Sequence, residues 1–252
     1  MADPRRVAGP RPTGDAEIVI EVRNLSKNYG GLRPLRIAQL ELRQGQALAL
    51  VGFDRVTAEV LVNLLTGASV PDSGEVRLFG ALTTAIPDGD SWLASLDRFG
   101  MLTERAVLLE GLSVQQNLAV PFSLDLDPIP AAVQAQVERL GADVGLSPDD
   151  LARPVSAIPP AARLRVRLAR AIALNPRVLL AEHPNALSPA EDLSDFAADF
   201  TRIVSRRGLA SLTLTADRRF ASAVATRVLD LRAATGELTA EPAWRRWLAR
   251  DR

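Results

Sequence analysis

Residues 46–67 read QALALVGFDRVTAEVLVNLLTG, and this stretch decides the fold. Its first part, Gln46 to Gly52, is a continuous apolar run, which is typical of a strand buried on both faces. The apolar positions of the following TAEVLVNLLTG recur with a helical period and predict a helix that stops at Gly67. A buried strand, a turn and a helix in this order have the length and apolar frame of a phosphate-binding loop.

Predicted strands and helices alternate over the rest of the chain. IVIEV from Ile18 and the following LRIAQLELR predict two strands, PDSGEVRLFG a turn and a strand, and RVLDLRAATGEL a closing hairpin. VLLAEHP (178–184) and LASLTLTAD predict two further buried strands, with a long helix over about 190–207 between them. Residues 91–170 are predicted to be mainly helical. This alternation indicates an α/β domain with a largely parallel sheet.

Composition excludes several classes of function. The 252 residues are 47% hydrophobic and 24% charged, which is the usual balance of a soluble globular protein. Thirty basic and 30 acidic residues give a net charge of +0, which argues against a nucleic-acid binder with a broad basic surface. No cysteine is present, so disulfides and thiolate metal sites are excluded, and His183 and Lys27 are the only histidine and lysine. No apolar run approaches the roughly 20 residues of a membrane-spanning helix, and the start lacks a signal-peptide core, so we expect a cytosolic chain.

Several ordered blocks resemble the nucleotide-binding subunit of an ABC transporter, from about residue 18 to 238. VRNLSKNYGG, LRQGQALALVG and LTGASVPDSGEVRLFG match the family's opening and first loop. MLTERAVLLEGLSVQQNLAVP resembles the family's Q-loop, somewhat in the manner of lipid-trafficking or lipoprotein-release systems. RLRVRLARAIALNPRVLLAEHP resembles the signature helix and the second strand of the ATPase motif.

The resemblance implies an ABC-type P-loop NTPase fold, which is α/β with a largely parallel sheet core, an antiparallel β part and an inserted helical subdomain at about 91–170. It implies a nucleotide-binding domain over 16–238. Residues 1–15, rich in Pro, Arg and Gly, are expected to form a disordered tail. Residues 239–252 are expected to form an amphipathic tail, in which Trp244, Trp247 and Leu248 share one helical face; it either folds against its own domain or contacts a partner or membrane surface.

The phosphate loop departs from the family at almost every functional position. Such a loop needs glycines that let N–H groups surround the phosphates, a lysine, and a Ser or Thr for Mg²⁺. In this chain Gly52 remains, but Arg55 and Thr57 occupy the later glycine positions, Ala58 the lysine position and Glu59 the magnesium-ligand position. Arg55 and Glu59 are spaced i, i+4 and are predicted to pair, which would fill the site with the protein's own charges. An arginine-based phosphate site is the alternative.

The signature motif is altered as well. The family presents Ser-Gly-Gly at a helix start, where a hydroxyl and N–H groups meet the ATP of the opposite subunit. This chain has Pro159, Pro160 and Ala161 at the matching positions. Because proline is tolerated at a helix start but has no N–H, we expect the helix to persist without its phosphate-binding end.

The remaining family positions follow the same trend. Glu182 and His183 replace the Asp-Glu pair at the end of the second strand, Glu104 replaces the Q-loop glutamine, and Ala216 replaces the switch histidine. Tyr29 stands where an aromatic stacks on adenine, although a single aromatic is more often a packing residue. The loop NALSPAED, after the second strand, is one residue short of the family's dimer-contact loop.

These departures predict a subunit without ATPase activity, cofactor or metal. The resemblance implies that it docks on an integral membrane transporter subunit, at the inner face of the cell membrane, beside a second ABC subunit that is either itself or an active paralogue. We expect this scaffold to use five residues for docking: Glu104, Val107, Leu108, Leu109 and Leu112. Two alternatives remain open: an unconventional ATPase subunit that uses Arg55, Glu182 and His183, and a soluble regulator that reuses the fold.

Overall fold

The apolar run before Gly52 forms the centre of a six-stranded sheet. The computed structural model describes residues 16–240, so the predicted tail 1–15 and the Trp244–Trp247 face lie outside the described residues. The strands are β1 (Ile18–Lys27), β2 (Leu35–Arg43), β3 (Ala47–Val51), β4 (Ser73–Leu78), β5 (Ala81–Leu82), β6 (Phe99–Leu102), β7 (Val178–Glu182), β8 (Ala210–Thr215), β9 (Arg227–Arg232) and β10 (Glu237–Ala240). The larger sheet has the order β10-β9-β3-β8-β7-β6, and every pair in it is parallel except the hairpin β9–β10.

Every residue of β3 is buried, as a strand covered on both faces requires. One face is covered by helix α1 and by a four-stranded antiparallel sheet of order β2-β1-β4-β5. The helices are α1 (Arg55–Leu65), α2 (Gly89–Leu96), α3 (Val114–Ala119), α4 (Ala131–Asp143), α5 (Pro148–Ala152), α6 (Pro160–Ile172), α7 (Leu193–Arg206) and α8 (Arg218–Val224). Leu61 of α1 belongs to the same buried cluster as Val22 of β1 and Leu48 of β3.

The opposite face of the larger sheet carries most of the other helices. Leu164 of α6 and Phe200 of α7 pack in one buried cluster with Leu179 of β7. The expected fold, an α/β P-loop architecture with a largely parallel sheet, an antiparallel β part and an added helical region, is therefore confirmed.

Two sequence-based boundaries were wrong. The stretch 91–170 contains the helices α3 to α6, but it also contains β6, a parallel edge strand beside β7 that the sequence analysis missed. The four residues FGML are too few for periodicity to separate a strand from a helix. Helix α1 begins at Arg55, two residues before the predicted start at Thr57, and it ends at Leu65, just before Gly67.

Candidate functional site

The loops that carry the family's catalytic positions gather at one edge of the larger sheet. Because β3, β7 and β8 run parallel, the segments that follow Val51, Glu182 and Thr215 leave the sheet at the same edge. Ligand sites of open α/β sheets form at this carboxyl edge. Helix α1 also begins there, after a connection of three residues, Gly52 to Asp54.

The start of α1 is capped by a carboxylate of the chain itself. The Thr57 N–H donates to Asp54 Oδ1 over 2.7 Å, and the Asp54 N–H donates to Thr57 Oγ1 over 3.0 Å, which closes a reciprocal capping box. The hydrogen bond from the Thr57 N–H is the main reason why the pKa of Asp54 lies below its ordinary value. The positive end of α1, which attracts phosphate in a phosphate-binding loop, therefore already holds an anion.

Arg105 binds two carboxylates across this edge. Its Nη1 lies 2.8 Å from Glu59 Oε1 on α1, and its Nη2 lies 2.6 Å from Glu182 Oε2 at the end of β7. Thr103 Oγ1 donates to the same Glu182 oxygen over 3.2 Å. The Glu182 side chain is only 11% exposed, so this ion pair is shielded better than a surface pair.

The predicted pairing of Arg55 with Glu59 is wrong. Arg55 Nη1 contacts Glu104 Oε2 at 2.9 Å, while Glu59 pairs with Arg105. The reason is that the segment after β6 brings its own carboxylate and guanidinium over the start of α1. Arg105 was missed by the sequence analysis, and its only signal was its position next to Glu104 in the Q-loop.

His183 lies directly after Glu182 in a left-handed backbone conformation, with φ +45°. Its N–H donates to the Leu214 carbonyl at 2.8 Å, which ties the turn to β8. Its Nε2 is buried and has no hydrogen-bond partner in the described part of the chain. Ala216, at the switch position, is exposed and offers only a methyl group.

The segment after His183 is held by a contact that the sequence did not indicate. Residues Pro184–Leu187 form a short 3-10 helix, and Thr215 Oγ1 of β8 lies 2.7 Å from Asn185 Oδ1. The shortened dimer-contact loop is therefore fixed to the sheet.

At the signature position the structure agrees with the expected helix. Helix α6 begins at Pro160 with Pro159 as its cap residue, and no side chain caps this end. Both prolines are exposed and lack the N–H that a phosphate would need. Ala161 follows within the first turn and has no hydroxyl. Tyr29 is half-buried and packs against the cluster that contains α1.

The five residues proposed for docking do not form one surface. Val107 is 67% exposed and Leu109 is 46% exposed, and Glu104 is exposed as well. Leu108 is 4% exposed and belongs to the helical core, so its assignment to the docking surface was wrong. Leu112 is half-buried. Sequence alternation alone did not separate Leu108 from its neighbours, because this segment is neither helix nor strand.

Buried polar groups hold this segment in place. The Asn117 side chain accepts from the Leu109 N–H over 2.8 Å and donates to the Leu109 carbonyl over 3.0 Å. Arg170 Nη1 of α6 donates to the Val107 carbonyl over 2.7 Å. The exposed residues Val107 and Leu109 are therefore presented by a fixed backbone.

The charges around the start of α1 do not fit a magnesium triphosphate. The anion position at the helix end is taken by Asp54, and the magnesium-ligand position carries Glu59, which is already bound to Arg105. Lys27, the single lysine, pairs with Asp72 at 2.8 Å. Within residues 16–240 there is neither a group of three or more metal-binding side chains nor a helix long and apolar enough to cross a membrane.

Comparison with known proteins places these observations in a family. The family model described as ABC transporter matches residues 35–186. The methionine import ATP-binding protein MetN of Rhizobium etli is 28% identical over 89% of this chain and 61% of its own length. The sulfate/thiosulfate import ATP-binding protein CysA of Gloeobacter violaceus is 29% identical over 88% and 62%. The chain thus spans about three fifths of these curated relatives.

Solved structures agree on the fold. A dimeric bacterial ABC transporter cassette superposes with a TM-score of 0.70 at 19% identity, over 88% of this chain and 97% of that one. The structure of cbiO1 from Clostridium perfringens, part of the ABC transporter complex cbiONQ, superposes with a TM-score of 0.76 at 17% identity, over 93% and 92%. This chain belongs to the ABC transporter family and has the fold of its ATP-binding cassette domain.

Proposed function

We propose that the chain is a non-catalytic subunit of an ABC transporter, which docks on the cytoplasmic side of a membrane subunit as a structural or regulatory scaffold. The observation that supports this most strongly is Arg105, which binds Glu59 and Glu182 where the family places the magnesium ligand and the acidic end of the second strand. An internal cation neutralises an internal pair of anions, so the site has no charge left for a nucleotide to satisfy.

The energetic cost of binding ATP supports the same proposal. A triphosphate would have to displace Asp54 from the Thr57 N–H and approach the carboxylate of Glu59, with Ala58 at the lysine position. Each lost hydrogen bond to a charged group costs about 1.5–3 kcal/mol. Two such losses reduce affinity by about a hundredfold or more.

Assembly with a second cassette would not supply a complete site. In the family, each ATP lies between the phosphate loop of one cassette and the signature of the other. A homodimer of this chain would combine an α1 capped by Asp54 with a signature that starts Pro159-Pro160. A heterodimer with an active paralogue would have one of these two defects in each site. We therefore propose that the second ABC subunit, whether a copy or a paralogue, does not close on ATP through this chain.

Docking is assigned to the exposed part of the Q-loop segment. Val107 and Leu109 present apolar side chains on a backbone fixed by Arg170 and Asn117. The relatives are named as import ATP-binding proteins, which supports a place at the inner face of the membrane beside an integral transporter subunit. The resemblance of the Q-loop to lipid or lipoprotein systems makes such a substance one candidate for transport, whereas the curated relatives are named for methionine and sulfate/thiosulfate.

Purification of the tagged chain from gently solubilised native membranes tests the proposal. We expect recovery with a multi-span membrane protein, which mass spectrometry would identify. Leu109→Glu should abolish that recovery, while Val70→Glu, an equally exposed position outside the Q-loop, should leave it unchanged. Recovery of the wild-type chain alone in the soluble fraction would contradict docking and favour a soluble regulator.

A second candidate is an unconventional ATP-binding ATPase subunit that uses Arg55, Glu182 and His183. The names of the relatives favour this candidate over a scaffold, since they are called ATP-binding proteins. The unpartnered Nε2 of His183 next to Glu182 is the feature in the chain that such chemistry would use. Mg-ATP turnover by the purified chain that is lost in His183→Ala would support this candidate and contradict the scaffold.

A further inference from the structure

A groove of about 310 Å³ lies between the Q-loop segment, helix α6 and the 3-10 helix Pro184–Leu187. We call it the α6 groove. Its lining includes apolar and charged side chains: Glu104, Val107, Leu108, Glu110, Arg163 and Arg167. It adjoins the exposed Val107 that the proposed function uses for docking.

Arg167 is the unusual residue of the α6 groove. Its Nε is buried and, within residues 16–240, has no hydrogen-bond partner. Glu104 and Glu110 act on it electrostatically, but neither forms a salt bridge with it, and Glu104 is already paired with Arg55. Burial lowers the pKa of the Arg167 guanidinium from its ordinary value.

The neighbouring arginines of α6 show that this helix normally satisfies its guanidinium groups. Arg163 donates from Nε to the Val155 carbonyl over 3.0 Å and from Nη2 to the Ser156 carbonyl over 2.8 Å. Arg170 donates to the Val107 carbonyl over 2.7 Å. Arg167 lies between these two residues on the same side of the helix and has no such acceptor among the residues described.

A partly buried charge without an acceptor destabilises the fold that carries it. A charged group in a cleft with this kind of environment is a candidate for a binding role. Because Arg is permanently charged and offers five donors in a planar fork, the group that completes it best is a carboxylate bound through two oxygens. The missing acceptor is therefore expected to come from outside the chain.

We infer that the α6 groove binds a segment of the membrane subunit that carries an Asp or Glu side chain, and that this carboxylate pairs with Arg167. The inference rests on the proposed function, because it names the partner chemistry of the same docking surface. Val107 provides the apolar contact beside the carboxylate. Glu104 and Glu110 disfavour a free polyanion such as phosphate and favour a basic residue next to the acidic one, so the charge pattern suits a peptide segment.

The first test uses the free chain and measures its thermal unfolding. Arg167→Met keeps a long apolar side chain and removes the unpaired charge, so the Tm should rise by about 2–4 °C. Arg139→Met on the exposed side of α4 is the matched control and should leave the Tm unchanged. A clear fall in the Tm of Arg167→Met alone would overturn the inference, because it would show that the guanidinium is satisfied within the chain.

The second test uses the complex from native membranes. A photo-crosslinking amino acid at position 107 should capture a segment of the membrane subunit that contains Asp or Glu. Arg167→Glu should reduce co-purification of that subunit at least tenfold, and a Glu→Arg or Asp→Arg exchange in the captured segment should restore it. Arg139→Glu should have no effect.

The results separate failure of the inference from failure of the proposed function. If the wild-type chain recovers the membrane subunit and Arg167→Glu binds as well as Arg139→Glu, the inference is overturned while docking stands. A captured segment without a carboxylate has the same meaning. If the wild-type chain recovers no membrane protein, the proposed docking fails and the inference fails with it.

Discussion

At the scale of single residues, the site is defined by which charges pair. Arg105 lies between Glu59 and Glu182, and Arg55 pairs with Glu104 instead of Glu59. The Arg55–Glu104 pair is more than half exposed on both sides, so it contributes little to stability. The contact of Arg105 with the shielded Glu182 has the larger effect, because a partly buried carboxylate without its partner is costly.

Arg105→Ala is therefore expected to reduce the free energy of unfolding by about 1–3 kcal/mol, because Glu182 loses its cation. Urea denaturation at neutral pH measures this change. The double variant with Glu182→Gln should recover most of the loss, since Gln needs no cation and can still accept the Thr103 hydrogen bond. A loss below about 0.5 kcal/mol, the usual range of a surface substitution, would show that the bridge does not hold the site together.

Asp54→Ala should lower the free energy of unfolding by about 0.5–2 kcal/mol at neutral pH, because α1 loses its cap. The pKa of Asp54 is lower in the folded chain than its ordinary value of 3.8, so the ionised cap stabilises the fold above that pH. The difference between wild type and Asp54→Ala should shrink as the pH falls below 3.8.

Asp54→Asn is the matched control for this pH dependence. Asparagine is as good a cap as aspartate but does not titrate, so its difference from Asp54→Ala should stay constant with pH. If the wild-type advantage over Asp54→Ala persisted unchanged in acid, the ionised carboxylate could not be the group that caps α1.

At this scale, sequence reasoning identified the altered positions but not the partners of the charges. The residues Ala58, Pro159 and Ala216 could be found because the surrounding apolar frame fixes their register. The pairing of Arg55 could not, because helical spacing offered Glu59 as a partner while the segment after β6 supplied Glu104. The role of Arg105 depends on the same three-dimensional placement.

At the scale of elements, the decisive change is the earlier start of α1. A phosphate-binding loop keeps its backbone open between the first glycine and the lysine position. In this chain the helix begins at Arg55, Phe53 is buried, and Asp54 with Thr57 closes the capping box. The sequence analysis placed the helix start at Thr57 because it counted apolar periodicity and overlooked the Asp-x-x-Thr capping pattern.

Leu108 and Leu109 are adjacent elements of one loop with opposite roles. Leu108→Ala should cost about 2–5 kcal/mol in unfolding free energy, because it leaves a cavity in the helical core. Leu109→Ala should change stability by less than about 0.5 kcal/mol. Thermal or urea unfolding of the two variants, measured side by side, tests this contrast. Equal losses would mean that the loop does not present Leu109 to a partner.

At the scale of the whole molecule, the two sheets enclose α1 and the helices cover the other face, as the order of the sequence blocks predicts. Long, buried and regular features could be predicted from pattern, since burial on both faces produces continuous apolar runs. The α6 groove could not, because it is formed by three segments that are far apart in the chain. The cassette keeps its apolar frame while its nucleotide positions are filled by its own charges.

Calorimetric titration of the purified chain with Mg-ATP tests this central claim most directly. The methionine import protein MetN of Rhizobium etli, named as an ATP-binding protein, serves as the positive control under the same conditions. We predict no saturable heat for this chain with ATP up to about 1 mM, which corresponds to a binding free energy weaker than about −4 kcal/mol. Stoichiometric binding with a micromolar Kd would contradict the account, because it would require Asp54, Glu59 and Arg105 to give way to a nucleotide.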